Sequence, residues 1–521
     1  MCAFTGTRTP IKLNTVFAFN HRGIVRIVVL GDIGQPVYHV GDEAMTHAVV
    51  AELRFRGITD ITLLSRNPEE STRLYGTAAV KTLEFPWPPN RRETYLKEIQ
   101  SVLAGDSNAL PSDDQVHPLI QTIASSDGVV IAGGGNMNSP YGWLLYERAA
   151  VGAIAKALGK PLVISGQTVG PVLTGPDYDT ALELYRSAAL SSVRERTSLQ
   201  MMRDAGVPAG LTLDDASFLI SDPTSRPEPS SASPTYSPSP ERPFLVASFA
   251  GGTGAMDKDD FNQRVAELLD RIAKAGDLDV VMIPHMSHPG KADLDIETHE
   301  DIRRRMTWDR VTVCGQFTAE EAAALTAQAE LVVASRYHPI VFALSAGVPC
   351  LGLAVDYYGE VRLGGALANW GLGHTLRSLR HIVTPEFDEF VDEFWSRRDE
   401  IRSYLLELSP AHARFQGDWW DAVVRALRGA SEEAPVLGTL APAFPELDSG
   451  EHPVAAKLTA NNESHIGHQS VELFRLTHAL EDTTATLAAV EAEAAQLRLQ
   501  LGALESSRVV RLARWLRLLR R

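Results

Sequence analysis

Two doubly wound, Rossmann-like α/β domains are predicted from three observations. Short apolar runs that end in glycine or a polar residue alternate with stretches of helical period. A break rich in proline and serine at residues 221–243 divides that alternation in two. The chain's 521 residues also exceed what a single hydrophobic core organises. Strand followed by helix, repeated on both sides of a break, implies two parallel sheets covered on both faces.

A polar leader at 1–23 precedes the first domain, 24–220. GIVRIVVLGD (23–32) reads as a buried parallel strand, a short apolar run closing on Gly and Asp. DEAMTHAVVAELRFRG has a helical period, and ITDITLLSR and SDGVVIAGGG are strands. ERAAVGAIAKALGK is a helix with Gly159 near its end, and PLVISGQTVGP is the next strand. LSSVRERTSLQMMRDAGV gives a short strand and then a helix closed by Gly206. Residues 221–243 cannot build a core and form a linker. In the second domain, 244–429, FLVASFAGG, DVVMIPHM, RVTVCGQF, LVVASRYHP and VPCLGLAVD are strands. Helices are expected at 259–274 and 318–329, and a helical region at 386–427 is expected to pack back on the body. Two such domains resemble the two-lobed, GT-B-like arrangement of many glycosyltransferases.

The end of the chain differs in kind. Residues 430–467 read as a linker. Within 468–505, Leu473, Leu480, Leu487, Ala494 and Leu501 repeat at sevens, and Leu476, Thr483, Val490, Leu497 and Leu504 form a second series offset by three. This predicts a coiled coil and a homo-oligomer; a single long helix docked on the body is the alternative. Residues 506–521 form a basic amphipathic helix, with Val509, Leu512, Ala513, Trp515, Leu516 and Leu519 on one side. Arg511, Arg514, Arg517 and Arg521 lie opposite. That pattern suits an anionic membrane surface or a partner protein.

The formal charge of −16 argues against a nucleic-acid partner, since phosphate neutralisation needs a basic surface. Three cysteines, Cys2, Cys314 and Cys350, form no CxxC and fit a reducing compartment. Neither a signal-peptide pattern nor an apolar run of membrane-spanning length occurs. The expected location is cytoplasmic, peripheral at the inner face of the membrane.

Ligands of doubly wound sheets bind at the carboxyl ends of strands, so polar residues there are the candidates. After the first strand come Asp32, His39, Gly41 and Asp42. Gly41 lets backbone approach a ligand, and Asp42 is a contact or simply a helix cap. The spacing of Gly31, Gly34 and Gly41 does not match a dinucleotide fingerprint. Gly133, Gly134 and Gly135, followed by Asn136, offer backbone N–H groups to an anion or sugar, or make a tight turn. Arg194 ends a strand as a helix begins, where it grips an anion or forms a structural ion pair. Ser335, Arg336, Tyr337 and His338 end an apolar strand, and Pro339 takes the position of a first helical residue. Arg336 and His338 thus flank a helix N-terminus, with His338 as the acid–base candidate. His285 and His288 in PHMSHPG have i, i+3 spacing but lie in a loop, so no metal site is expected.

These segments, in this order, resemble the polysaccharide pyruvyl transferase family. The matching elements are Gly41-Asp42-Glu43-Ala44, Gly133 to Gly135, Gly166 to Pro171, Arg194-Glu195-Arg196-Thr197-Ser198, Arg336-Tyr337-His338 and Gly347-Val348-Pro349. Three departures stand out: Tyr337 where the family has leucine, the insertion GQPVYH in the first glycine loop, and Pro339 after the histidine. The resemblance implies transfer of pyruvate from phosphoenolpyruvate to a saccharide, free or lipid-linked, as a cyclic ketal. It implies Arg194 and Arg336 as the donor clamp with Ser335 beside them, and His338 as general acid, protonated when the anion binds. Asp32, His39, Gly41, Asp42, Gly134, Gly135 and Asn136 are then acceptor or loop contacts. No metal or organic cofactor is expected; phosphoenolpyruvate is a co-substrate. The alternatives are a nucleotide-sugar glycosyltransferase and a non-catalytic scaffold of polysaccharide assembly.

Overall fold

The computed structural model describes residues 25–85, 91–173, 175–219 and 242–438, together with Phe444, Pro445, Leu447 and isolated positions between 483 and 498. The leader, nearly all of the Pro/Ser linker and the basic segment at 506–521 lie outside the described residues. Within the heptad segment, the described positions between Thr483 and Arg498 are helical, and Leu487, Val490 and Leu497 are exposed there.

The N-terminal strands are β1 (Arg26–Leu30), β2 (Tyr38–His39), β3 (Asp60–Ser65), β4 (Ala78–Lys81), β5 (Gly128–Ile131), β6 (Gly134–Met137), β7 (Leu162–Val169), β8 (Leu190–Val193) and β9 (Gly210–Leu211). All of them except β2 form a parallel sheet in the order β4-β3-β1-β5-β7-β8-β9, with β6 pairing β7 off that path. β1 lies between β3 and β5, with Val29 opposite Leu63 on one side and Val130 on the other. Both of its faces are covered by helices, which explains a continuous apolar run in place of alternation.

The second sheet takes β10 (Phe244–Ser248), β11 (Asp279–Met282), β13 (Val311–Val313), β14 (Leu331–Ala334), β15 (Cys350–Ala354) and β16 (Leu376–Ser378). Its parallel order is β13-β11-β10-β14-β15-β16. The strand order reverses between β1 and β5 in one domain and between β10 and β14 in the other. Such switch points open crevices at strand ends, and Ser335 follows directly on β14.

The two domains are also joined by contacts the sequence did not announce. β12 (Met286–Ser287) pairs antiparallel with β2, placing Met286 opposite His39 and Ser287 opposite Tyr38. The inserted GQPVYH segment therefore ends as a strand laid on the opposite domain. His47, on the Val40–Phe55 helix, meets Glu320 of the second domain at 2.8 Å.

The region at 386–427 is two helices, Glu386–Ser396 and Arg398–Leu427, and the longer one crosses between domains. Ile401, Leu405 and Leu408 join the main core, whereas Trp419, Trp420, Val423 and Leu427 pack with Ile27, Val29 and Val130 beneath the first sheet. Trp419 donates its indole N–H to Ser165 at 3.0 Å. The boundary expected at 429 is corrected accordingly, because the end of this helix belongs to the first domain. The linker expected from 430 begins in contact: Leu437 N–H bonds Leu211 O at 2.7 Å beside β9, and Phe444 packs edge-on to Tyr404.

Candidate active site

A cavity of about 240 Å³ opens between the two domains, where the helices Tyr337–Ala346 and Tyr357–Asn369 begin. His39, Gly41 and Asp42 line it from the first domain, and His285, Ser335, Arg336, His338, Asp356 and Arg362 from the second. A larger groove of about 470 Å³ lies on the outer face of the first domain against Leu96, Ala149 and Leu184. Its wall is mostly aliphatic, with Lys156 and Glu183 among it and no histidine.

Sequence dictates the local geometry at β14. Its four apolar residues are buried, and the chain then turns at Arg336, which is extended (φ −76°, ψ 143°) and is the N-cap of the helix. Pro339 is consequently the third helical residue, not the first. Ser335 Oγ accepts the Ala250 N–H at 3.1 Å, tying β14 to the glycine loop after β10. Arg336 forks onto Asp295 through Nε (2.9 Å to Oδ2) and Nη2, leaving Nη1 outside the pair. Asp295 is fully buried and also accepts the His285 N–H at 3.0 Å.

His338 is packed edge-on to Tyr337, and its Nε2 is buried with no hydrogen-bond partner. The nearest carboxylate is Asp214, with Oδ1 3.8 Å away. Burial pushes the imidazole down to about 4; Arg194 and Arg362 act in the same direction, while Asp214 and Asp42 resist. The ring is therefore neutral near pH 7 in the free protein. His285 is pushed down to about 3, chiefly by burial, with Nδ1 facing Ile283 O and Ser248 Oγ. Its Nε2 is likewise without a partner. At the opposite wall His39 pairs with Asp42 at 3.3 Å. Burial opposes charge on His39, but the Asp42 hydrogen bond and charge outweigh it and raise the pKa.

Several expected contacts are placed differently. Arg194 does not reach the cavity: its side chain is 2% exposed, Nε bonds Thr168 and Glu195, and Nη1 lies 2.6 Å from Asp214. The structural ion pair holds there, because a buried guanidinium requires neutralising carboxylates. Asp32 is also interior, salt-bridged to Arg66 at 2.8 Å and accepting Asn136 Nδ2 at 2.9 Å. The triple glycine is no anion cradle. Gly133 N–H bonds Asp215 at 2.7 Å, and Gly134 and Gly135 continue as β6 against β7. Gly41 permits a close approach, but to His338 of the other domain: a Cβ there would lie 1.8 Å from Nδ1. Asp42 is no cap, since the N-cap is His39 and Asp42 sits in the first turn. His288 bonds Asp293 at 2.8 Å. Among the described residues no three His, Cys, Asp or Glu side chains gather as a metal site.

A model of the polysaccharide pyruvyl transferase family matches residues 39–357, more than half of the chain. The chain belongs to that family. The match runs from His39 across β14 to the start of the helix that carries Arg362, so it takes in most of the cavity wall. No curated protein matches the chain. Among solved structures it is similar to the S. aureus MnaA–UDP co-structure (12% identity, TM-score 0.50, 80% of this chain and 100% of that one). It is equally similar to a UDP-N-acetylglucosamine 2-epimerase (12% identity, TM-score 0.50, 79% of this chain and 98% of that one). At that identity the likeness concerns the fold, the GT-B arrangement of two Rossmann-like lobes.

Within that frame the departure at Tyr337 acquires a physical reason. Its ring lies 4.4 Å from the Arg194 guanidinium and 5.7 Å from that of Arg362. An aromatic face stabilises both cations, which a leucine cannot do. Three cavity neighbours escaped the sequence reading. Arg362 rests 3.8 Å over the Tyr358 ring and has no carboxylate at salt-bridge distance among the described residues. Asp214 joins Arg194 to His338. Asp356 caps the Tyr357–Asn369 helix by accepting the Gly359 N–H at 2.6 Å. The LAVD run ending β15 and the LDD following β9 carried those signals, as acids at strand ends.

Proposed function

We propose that the protein transfers the pyruvyl group of phosphoenolpyruvate to two hydroxyls of a saccharide as a ketal. The supporting observation is the convergence of Arg336, Arg362 (with no carboxylate at salt-bridge distance among the described residues) and two neutral histidines on one cavity at two helix N-termini. A carboxylate and a phosphate on one small donor call for two cations, and the helix ends add positive potential. Arg362 takes the place that sequence reasoning gave to Arg194, and Arg336 offers Nη1 beside its Asp295 pair.

The chemistry balances with His338 as proton carrier. Anion binding beside the ring raises its pKa, so His338 becomes imidazolium and protonates C3 of the enol. One acceptor hydroxyl bonds C2 and returns a proton to the ring. The second hydroxyl displaces phosphate as the C2–O bond breaks, and its proton leaves on the phosphate. C3 ends as a methyl, C2 carries two sugar oxygens, and one inorganic phosphate is released. The acceptor is a saccharide, free or lipid-linked. The heptad segment supports self-association, and the arginines at 506–521 support contact with the inner, anionic face of a membrane. No helix among the described residues is long and apolar enough to cross one.

Phosphate release from phosphoenolpyruvate with a panel of free and lipid-linked saccharides tests this reading. Acceptor-dependent release is expected; stabilisation by UDP without any release would favour a nucleotide-sugar enzyme instead.

A further inference from the structure

Beside the anion cavity lies a group of rings that the donor does not need. Tyr141, the N-cap residue of the Gly142–Ala157 helix, is 37% exposed. Trp143 meets it edge-on at 5.8 Å, and Tyr358 of the other domain lies at 6.3 Å, ring centre to ring centre. The position of Tyr358 is fixed. Its hydroxyl donates to Gly135 O, so close that a Cβ on Gly135 would lie 2.4 Å from the Tyr358 hydroxyl oxygen, and Arg362 rests on the ring face. The loop carrying Tyr141 is equally constrained. Asn138 donates to the same Gly135 O at 2.8 Å and accepts the Tyr141 N–H at 3.0 Å. Both domains thus converge on one carbonyl and hold an exposed ring one side chain away from Arg362.

We propose that Tyr141, backed by Trp143 and Tyr358, is the acceptor subsite and stacks the apolar C–H face of a pyranose. A pyranose has one face of axial C–H bonds and a rim of hydroxyls. An aromatic plate beside a polar cavity recognises that combination. Stacked there, the sugar directs its rim toward Arg362 and the donor carbon. The proposal rests on reading the cavity as a pyruvyl-transfer centre, and it assigns the acceptor's side of entry to the first domain.

Saturation-transfer NMR on the full chain with methyl β-galactoside, methyl β-glucoside and methyl β-mannoside tests it, with phosphoenolpyruvate followed separately by 31P line broadening. At least one glycoside is expected to receive saturation on its ring-face protons. Tyr141→Ala should raise the apparent Kd by about five-fold, and Tyr141→Phe should leave it unchanged. The 31P broadening should be the same in all three proteins. No saturation of any glycoside, or equal affinity in Tyr141→Ala, overturns the proposal. Glycoside saturation that depends on Tyr141 but comes without 31P broadening keeps the subsite and removes the pyruvyl donor.

Discussion

At the scale of single residues, the site combines cations that differ in how they are supported. Arg362 leans on Tyr358 and, among the described residues, has no carboxylate partner to leave behind, whereas Arg336 pairs with the fully buried Asp295. Arg362→Met should therefore weaken phosphoenolpyruvate binding about ten- to a hundred-fold while the urea midpoint stays put. Arg336→Met should also cost about 3 kcal/mol of stability in the same urea titration, because the buried Asp295 loses its ion-pair partner. His338 carries a pH signature. Its pKa in the free protein is pushed down to about 4, and a bound anion raises it. The complex then holds more protons than the free protein above pH 4, so affinity should strengthen as pH falls toward that value. Calorimetry in two buffers of different ionisation enthalpy should show proton uptake on binding that His338→Gln abolishes; uptake unchanged in that variant would count against His338. Of these residues, Arg336 and His338 were legible because they follow a buried strand directly. Arg194 was read either as an anion grip or as a structural ion pair, because sequence shows a strand end with Glu195 next to it but not that Asp214 lies beside it as well.

At the scale of elements, the strands were read well because fully buried parallel strands are uninterrupted apolar runs. What escaped was pairing that no local pattern encodes. β2 and β12 have two residues each and meet only because the domains do. The Arg398–Leu427 helix looked like part of the second domain because it follows that domain in the chain. Its tryptophans, Trp419 and Trp420, in fact seal the underside of the first sheet. Trp419 is fully buried, so Trp419→Ala should cost about 3–5 kcal/mol by urea denaturation. A cost below about 1 kcal/mol would mean that this helix is not docked as described.

At the scale of the whole molecule, the cavity exists only where both domains contribute. Gly41 makes room for His338, Gly135 receives Tyr358, and Asn369 donates to Arg194 O at 2.9 Å across the junction. The order of motifs in the sequence suggested such a shared cleft, but not which cation would face it. That choice depends on burial and pairing in three dimensions. The heptad series adds a level above the single chain: sedimentation should show an oligomer for the full chain and a monomer after removal of residues 468–521. Equal mass for both would assign the heptads to a helix within one chain. Transfer of pyruvate from phosphoenolpyruvate is measured by the inorganic phosphate released in the presence of candidate saccharides. Release should require an acceptor, yield a pyruvylated sugar in equal amount, and be lost in His338→Gln and Arg362→Met. Release that continues undiminished in both variants, or none with any acceptor from a folded wild-type protein, would contradict it.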